Sequence, residues 1–448
     1  MRKVWVRSLS ALAVVVAAVA LAACGSSSSK SSSSSGGSGS SGSATSGSSG
    51  SATSSGSTTS ASTGSSNSSF VPTGSGGLKL IGSGGTQASE SNDPLGIKAQ
   101  TGAEQKQAIT AANSEAAKLG SGTIPKGTTI GIEEIINSVP SAQRADGQLI
   151  YALRELGFNV IACDAEGDPN KMESCMTSLV SQGVKAIASL GTDPSLIAQG
   201  LQAAKAKNIP VISYSGAVAN SPLWYRVYYP NETKAGQVLS NYVIAQMKAH
   251  NGNSIWISNY PASWAAERTD ALTNALKSNP SIKNVGETTV DSTNPIQGTQ
   301  QQVISQYTKD PSTRAYWFAY DAPGAAGAQA LASKDGGKPW PSGPLVVTFH
   351  DDQQANGLIR KGQITAVSDV NYDASSFEAA NAIAQYVAKK TVPPSDKGNG
   401  LYGHPMYSYQ IINKANNPPA GQFVQPKFDV VSFFTQLWHK EFNLQPAG

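Results

Sequence analysis

Between Thr128 and Tyr214 the chain alternates four short apolar runs with three helix-like stretches, and this alternation restricts the fold more than any other feature. The runs are TTIGIEEI, FNVIAC, VKAIASL and IPVISY. Strands this apolar leave no face for water, which predicts a parallel sheet covered on both sides. The intervening stretches supply the covers. In SAQRADGQLIYALRELG, Ala145, Leu149, Leu153 and Leu156 share one helical face and Gly157 supplies a stop. In DPNKMESCMTSLVSQG, Asp168 is placed as cap, Pro169 at the first helical position and Gly183 after the end. DPSLIAQGLQAAKAKN reads as another capped helix, opening on Asp193. A repeat of roughly thirty residues is that of a doubly wound α/β lobe.

After WYRVYYPNETKAGQVLSNYVIAQMKAH the pattern restarts. NSIWISNY, a helix from Ser263 to Lys277, KNVGETTV, a helix from Pro295 to Tyr307, RAYWFAY and GPLVVTF form a second set. The fold class expected is therefore α/β, two doubly wound parallel-sheet lobes joined by a hinge. We expect lobe 1 over about 126–232 with a returning segment over about 370–405, and lobe 2 over about 233–369 with the C-terminal segment. AEQKQAITAANSEAAKLG, within an N-terminal extension over 78–125, predicts a helix that belongs to neither set, and FDVVSFFTQLWHKEF a closing amphipathic helix. Open parallel sheets present ligand sites at the carboxyl ends of their strands, so two facing lobes make a cleft for a small molecule.

The beginning of the chain is of another kind. Met1 to Ala23 has Arg2, Lys3 and Arg7 ahead of an apolar run too short to span a bilayer, the pattern of a secretory signal. Leu21-Ala22-Ala23-Cys24 resembles the bacterial lipobox, which implies a diacylglyceryl group on the Cys24 sulfur and a membrane anchor. Residues 24–77 are then a linker, almost wholly Ser, Gly, Thr and Ala, with too little apolar surface to offset the entropy of ordering. As a random coil it has a root-mean-square span of roughly 35 to 40 Å. The cargo is expected on the extracytoplasmic face of the cell membrane. Cys163 and Cys175 remain there, either bridged or as two buried thiols, Cys175 standing at helical spacing with Met172 and Leu179.

Several function classes fall away. The net charge of +4 is spread without basic runs, so no nucleic acid is expected as partner. LIGSGGTQ, at Leu80 to Gln87, mimics a dinucleotide loop without the context that mechanism needs, and no phosphate loop, zinc-protease helix or nucleophile elbow is present. With four histidines and no convincing Ser or Cys partner for them, we expect no enzyme, no catalytic residue and no cofactor. His350-Asp351-Asp352 cannot all point at one ion from adjacent loop positions, so no metal is expected either.

From about Thr128 to Ile412 the chain resembles the type I periplasmic substrate-binding proteins of ABC transporters, in the ribose-like sugar-binding branch. The resemblance lies in the order and spacing of the first-lobe segments quoted above with AAERTDAL, AYWFAYDAPGAAGAQAL and VVTFHDDQQANGLIRKGQITA. It implies a monomer that captures a small polar, sugar-like solute and delivers it to an ABC permease. The alternative is a sensor subunit that binds a signal molecule and touches a membrane receptor or kinase. Carried over by position, the resemblance implies ligand contacts at Asn137, Ser138, Ser215, Arg268, Tyr320, Asp321, His350 and Asp369. Trp264 and Phe349 are expected to add apolar faces beside Tyr320, and Glu134, His350, Asp351 and Asp369 acidic capacity, which leaves an amine-bearing or cationic ligand open. The family's stacking aromatics after the first strand are replaced by Asn137-Ser138-Val139-Pro140-Ser141, and its Asp-Arg pair after the fourth by Ser215-Gly216.

Overall fold

A computed structural model of the chain describes residues 78–82, 97, 99–395 and 398–444. The expected signal segment 1–23, the lipidation site Cys24 and the linker 24–77 lie outside the described residues. The first lobe is built from β1 (Leu78–Gly82), α1 (Ala103–Leu119), β2 (Thr129–Glu134), α2 (Pro140–Glu155), β3 (Asn159–Asp164), α3 (Pro169–Ser181), β4 (Ile187–Leu190), α4 (Ala198–Ala206), β5 (Val211–Tyr214) and β6 (Arg226–Tyr228). The second follows with α5 (Glu232–Ala249), β7 (Ser254–Asn259), α6 (Ser263–Lys277), β8 (Lys283–Thr289), α7 (Pro295–Lys309), β9 (Ala315–Phe318), α8 (Asp321–Asp335), β10 (Leu345–Phe349), α9 (Gln353–Lys361) and β11 (Ala366–Asp369). The chain ends with α10 (Asp373–Lys389), β12 (Gln410–Asn413) and α11 (Val430–Phe442).

One sheet has the order β1-β3-β2-β4-β5-β6 and the other β12-β11-β10-β9-β7-β8. All neighbours are parallel except β12, which runs antiparallel to β11 with Ala366 opposite Asn413. Without β1 and β12 the two orders are the same, each reversing beside its first strand: between β2 and β4, and between β7 and β9. Such reversals are where loops diverge and a crevice opens at the carboxyl ends.

The local signals act largely as expected. Asp168 accepts from the Asn170 N–H at 2.8 Å and caps α3, with Pro169 at its first position. Asp193 departs from expectation, because α4 starts only at Ala198 and the Asp193 carboxylate is taken up elsewhere. It accepts from the Ala219 N–H and, across to the second lobe, from the Ser263 N–H at 3.0 Å and hydroxyl at 2.7 Å.

The C-terminal segment, read from sequence as part of the second lobe, is divided. β12 joins the second sheet, while α11 packs on the first lobe because its apolar face carries Phe433, Phe434 and Trp438, all buried. Trp438 stacks on Phe377 of α10 at 5.9 Å and 13°. The expected N-terminal helix is α1, and Ala108 and Ala112 bury it against α11. The extension also adds β1, whose Leu80 to Gly82 begin the glycine-rich stretch; the rest of that stretch lies outside the described residues. The chain thus passes between the lobes four times, around β6 to α5, β11 to α10, and before and after β12.

Cys163 at the end of β3 and Cys175 on α3 form a disulfide with Cα atoms 5.6 Å apart. With a sequence separation of 12, the loop it closes is worth about 3 kcal/mol in the chain-entropy model. We expect Cys163→Ser/Cys175→Ser to lower unfolding stability by about that amount. A loss under about 1 kcal/mol in urea titration would show the bridge to be neutral.

Candidate functional site

A cavity of about 80 Å³ lies between the carboxyl ends of the two sheets. Ile135, Ile136 and Val139 reach it after β2, Leu190 and Gly191 after β4, and Ser215 and Gly216 after β5. The opposite wall is Tyr260 after β7, Trp264 and Arg268 on α6, Tyr320 after β9 and His350 after β10. Tyr372, on the crossing after β11, completes it. Ser215 and His350 occupy the same place in the two lobes, and both hold left-handed backbone, φ 71° and 75°. Non-glycine residues there carry strain, which surrounding structure must over-determine. Gly216 is required for a different reason: a Cβ would stand 2.8 Å from Trp264 Cδ1.

The rings form one group. Tyr260 stacks on Trp264 at 5.1 Å and 18°, and Tyr320 meets both edge-on at 5.3 and 5.7 Å. Arg268 is buried behind them. Its Nε donates to Glu232 Oε2 at 2.8 Å, Nη1 to the Ala319 carbonyl at 2.7 Å and Nη2 to the Tyr372 hydroxyl. The guanidinium carbon lies 4.9 Å from the Trp264 ring centre and 4.6 Å from that of Phe349. Burial raises the Glu232 carboxyl, and the Arg268 charge and hydrogen bond pull it back.

Two clamps cross the cleft beside the cavity. At one, Asp321 accepts from the Ser141 N–H at 3.0 Å and hydroxyl at 2.7 Å, and His350 Nδ1 lies 3.0 Å from the same carboxylate. Burial alone would raise Asp321, but the His350 and Ser141 hydrogen bonds outweigh it and hold the carboxyl below its ordinary value. Burial pushes His350 down, so its ring is neutral. Next to an ionised carboxylate Nδ1 carries the proton, leaving a lone pair on Nε2. At the other clamp Arg144 of α2 binds Asp373 with Nε and Nη2 and the Asp351 carbonyl with Nη1. With the Asp193–Ser263 contact, these hold the lobes closed over the cavity.

Of the residues singled out from sequence, Ser215, Trp264, Arg268, Tyr320 and His350 line the cavity together. Asp321 stands behind His350. Asp369 accepts from the Asp351 and Asn371 N–H groups at 3.0 and 3.2 Å, which places it at the hinge. Glu134 and Asn137 are buried in the first lobe, bonded to each other at 3.2 Å, and Ser138 is exposed. Phe349 sits behind Arg268. Tyr260, Leu190 and Tyr372 escaped the sequence reading, although each ends or closely follows a strand, which is the signal that would have found them.

Below the cavity the first lobe buries Glu133, Glu134, Asp146 and Asp164, with Tyr214 donating to Asp146. No group among the described residues could hold a metal ion. Burial pushes Glu133 from 4.5 up to about 7, against hydrogen bonds from Ser189 and Thr192, and also raises Glu134 and Asp146. A folded-state value above the unfolded one means stability fully present below about pH 4.5 and lost as pH rises through about 7. For Glu133 that amounts to about 3 kcal/mol. Glu133→Gln should flatten the pH profile of unfolding between those values, and an unaltered slope in urea titrations would refute this assignment.

Residues 140–391 match the model of the periplasmic binding protein domain family. No curated relative matches the chain. Among solved structures it is similar to an ABC sugar transporter subunit from Rhodobacter sphaeroides, at 20% identity and TM-score 0.56, covering 65% of this chain and 99% of that one. It is also similar to the Caulobacter myo-inositol binding protein bound to myo-inositol, at 17% and 0.56, covering 66% and 95%. A third is XylFII in the XylFII-LytSN complex, at 17% and 0.54, covering 65% and 100%.

Proposed function

The chain belongs to the periplasmic binding protein domain family, a family of solute binders rather than enzymes, and from that premise we propose that it captures a small uncharged, sugar-like solute between its lobes and delivers it to an ABC permease. The observation that carries this reading is the cavity at the reversal points of both sheets, walled by rings and by Arg268. The permease recognises the closed form, in which the two lobes present a fixed pair of faces. The test is native mass spectrometry of the full chain purified under gentle conditions, with small-angle scattering before and after dialysis against denaturant and refolding. A co-purified solute whose removal loosens the particle is expected. A particle with no solute and the same scattering with and without a cell extract of small molecules would reject solute capture.

The similarity to XylFII keeps a sensor partner as the second reading, since that structure is a complex with LytSN. Crosslinking in membranes separates the two: recovery of a permease supports transport, recovery of a sensor protein supports signalling. Anchoring by Cys24 belongs to the same proposal. Cys24→Ala should move the protein from the membrane fraction to the medium, and full retention in membranes would count against lipidation.

A further inference from the structure

The cavity offers a ligand few polar partners. Ile135, Ile136, Val139, Ala142 and Leu190 close it from the first lobe, and the rings of Tyr260, Trp264 and Tyr320 from the second. Most polar side chains in its wall are already engaged. The Ser141 hydroxyl donates to Asp321. Arg268 directs N–H groups to Glu232, Ala319 and Tyr372, with Trp264 and Phe349 over its plane. Unpartnered among the described residues are the Ser215 and Tyr320 hydroxyls, the Trp264 indole N–H, His350 Nε2 and the two Arg268 N–H groups that those three bonds leave over.

Charge narrows the choice further. Arg268 is matched by Glu232, and Asp321 remains ionised behind His350, so the wall holds no spare cation for a carboxylate or phosphate. A hexose or an inositol would bring more hydroxyls than these few groups can meet, and each one buried without a partner lowers affinity about tenfold or more.

We propose that the ligand is an uncharged, compact molecule with an apolar ring and two or three oxygens, of the cyclic-diol or deoxygenated-sugar class, and that the cavity rejects fully hydroxylated pentoses, hexoses and inositols. The proposal rests on the reading of this cavity as the solute site and names the solute's chemistry. One oxygen receives the Tyr320 hydroxyl and donates to His350 Nε2, while the ring lies against Trp264 and Leu190.

Titration calorimetry of the full chain with a vicinal cyclohexanediol and with myo-inositol compares the same carbocycle at two hydroxyl counts, with ribose and glucose alongside. Expected is diol binding about 100-fold tighter than inositol or either sugar, and a loss of about tenfold in diol affinity for Tyr320→Phe. Tighter binding of inositol, ribose or glucose would overturn the inference and leave solute capture standing. Absence of diol binding would also overturn it, and solute capture itself would still be judged by the co-purified molecule. Unchanged diol affinity in Tyr320→Phe would overturn the assignment of that hydroxyl.

Discussion

Arg268→Ala is expected to cost about 3–5 kcal/mol of folding stability, the range for removing one partner of a buried ion pair. Glu232 is fully buried, and its Oε2 accepts from Arg268 Nε. Alanine leaves that carboxylate without its cation, the Ala319 carbonyl without a donor, and a gap between Trp264 and Phe349. The effect should appear as a lower urea midpoint at unchanged slope. Arg268→Met combined with Glu232→Gln should restore most of the loss, because the uncompensated charge is then gone. A single variant within about 1 kcal/mol of the parent would show that Arg268 is held for the ligand and contributes little to the fold.

Arg144→Ala should have an effect of similar size, with an added consequence at the cleft. Arg144 lies 4.8 Å from the Phe423 ring centre, and its guanidinium stands between Asp373, Asp369 and the Asp351 carbonyl. Its removal leaves Asp373 and Asp369 as neighbouring buried acids, again a loss of about 3–5 kcal/mol. Asp373 opens α10 on the first lobe and Asp351 follows β10 on the second, so the same side chain joins helix, hinge and opposite lobe. Ligand affinity should fall about tenfold or more as the closed form loses a charged hydrogen bond. Arg144→Lys separates the two effects, since it keeps the charge beside Asp373 and gives up the fork that reaches Asp351. If Arg144→Ala leaves the urea midpoint unchanged, the hinge does not depend on this cluster.

Much of the frame was legible because its signals are local. Pro169 after Asp168 fixes the start of α3, and α6 spans Ser263–Lys277 as the apolar spacing indicated. The resemblance names Ser215, Tyr320 and His350, position by position, and all three line one cavity. What a side chain does there depends on partners distant in sequence. Asp193 carries the signature of a helix cap, yet its carboxylate serves a helix of the other lobe. Arg268 has the form of a ligand-gripping residue, and only Glu232, 36 positions earlier, shows that most of its donors are taken. Glu134 ends β2 at the right height, but it is buried in the first lobe with Asn137 and the acids below the cavity. The destination of α11 was hidden too, because an amphipathic face says that a helix is buried and not against what.

Both ends of the described residues belong to one lobe: β1 and α1 at the start, α11 at the finish. The other lobe is an insertion that touches neither end. Mechanical tension applied at either terminus therefore runs through the first sheet and its helices without pulling the jaws apart.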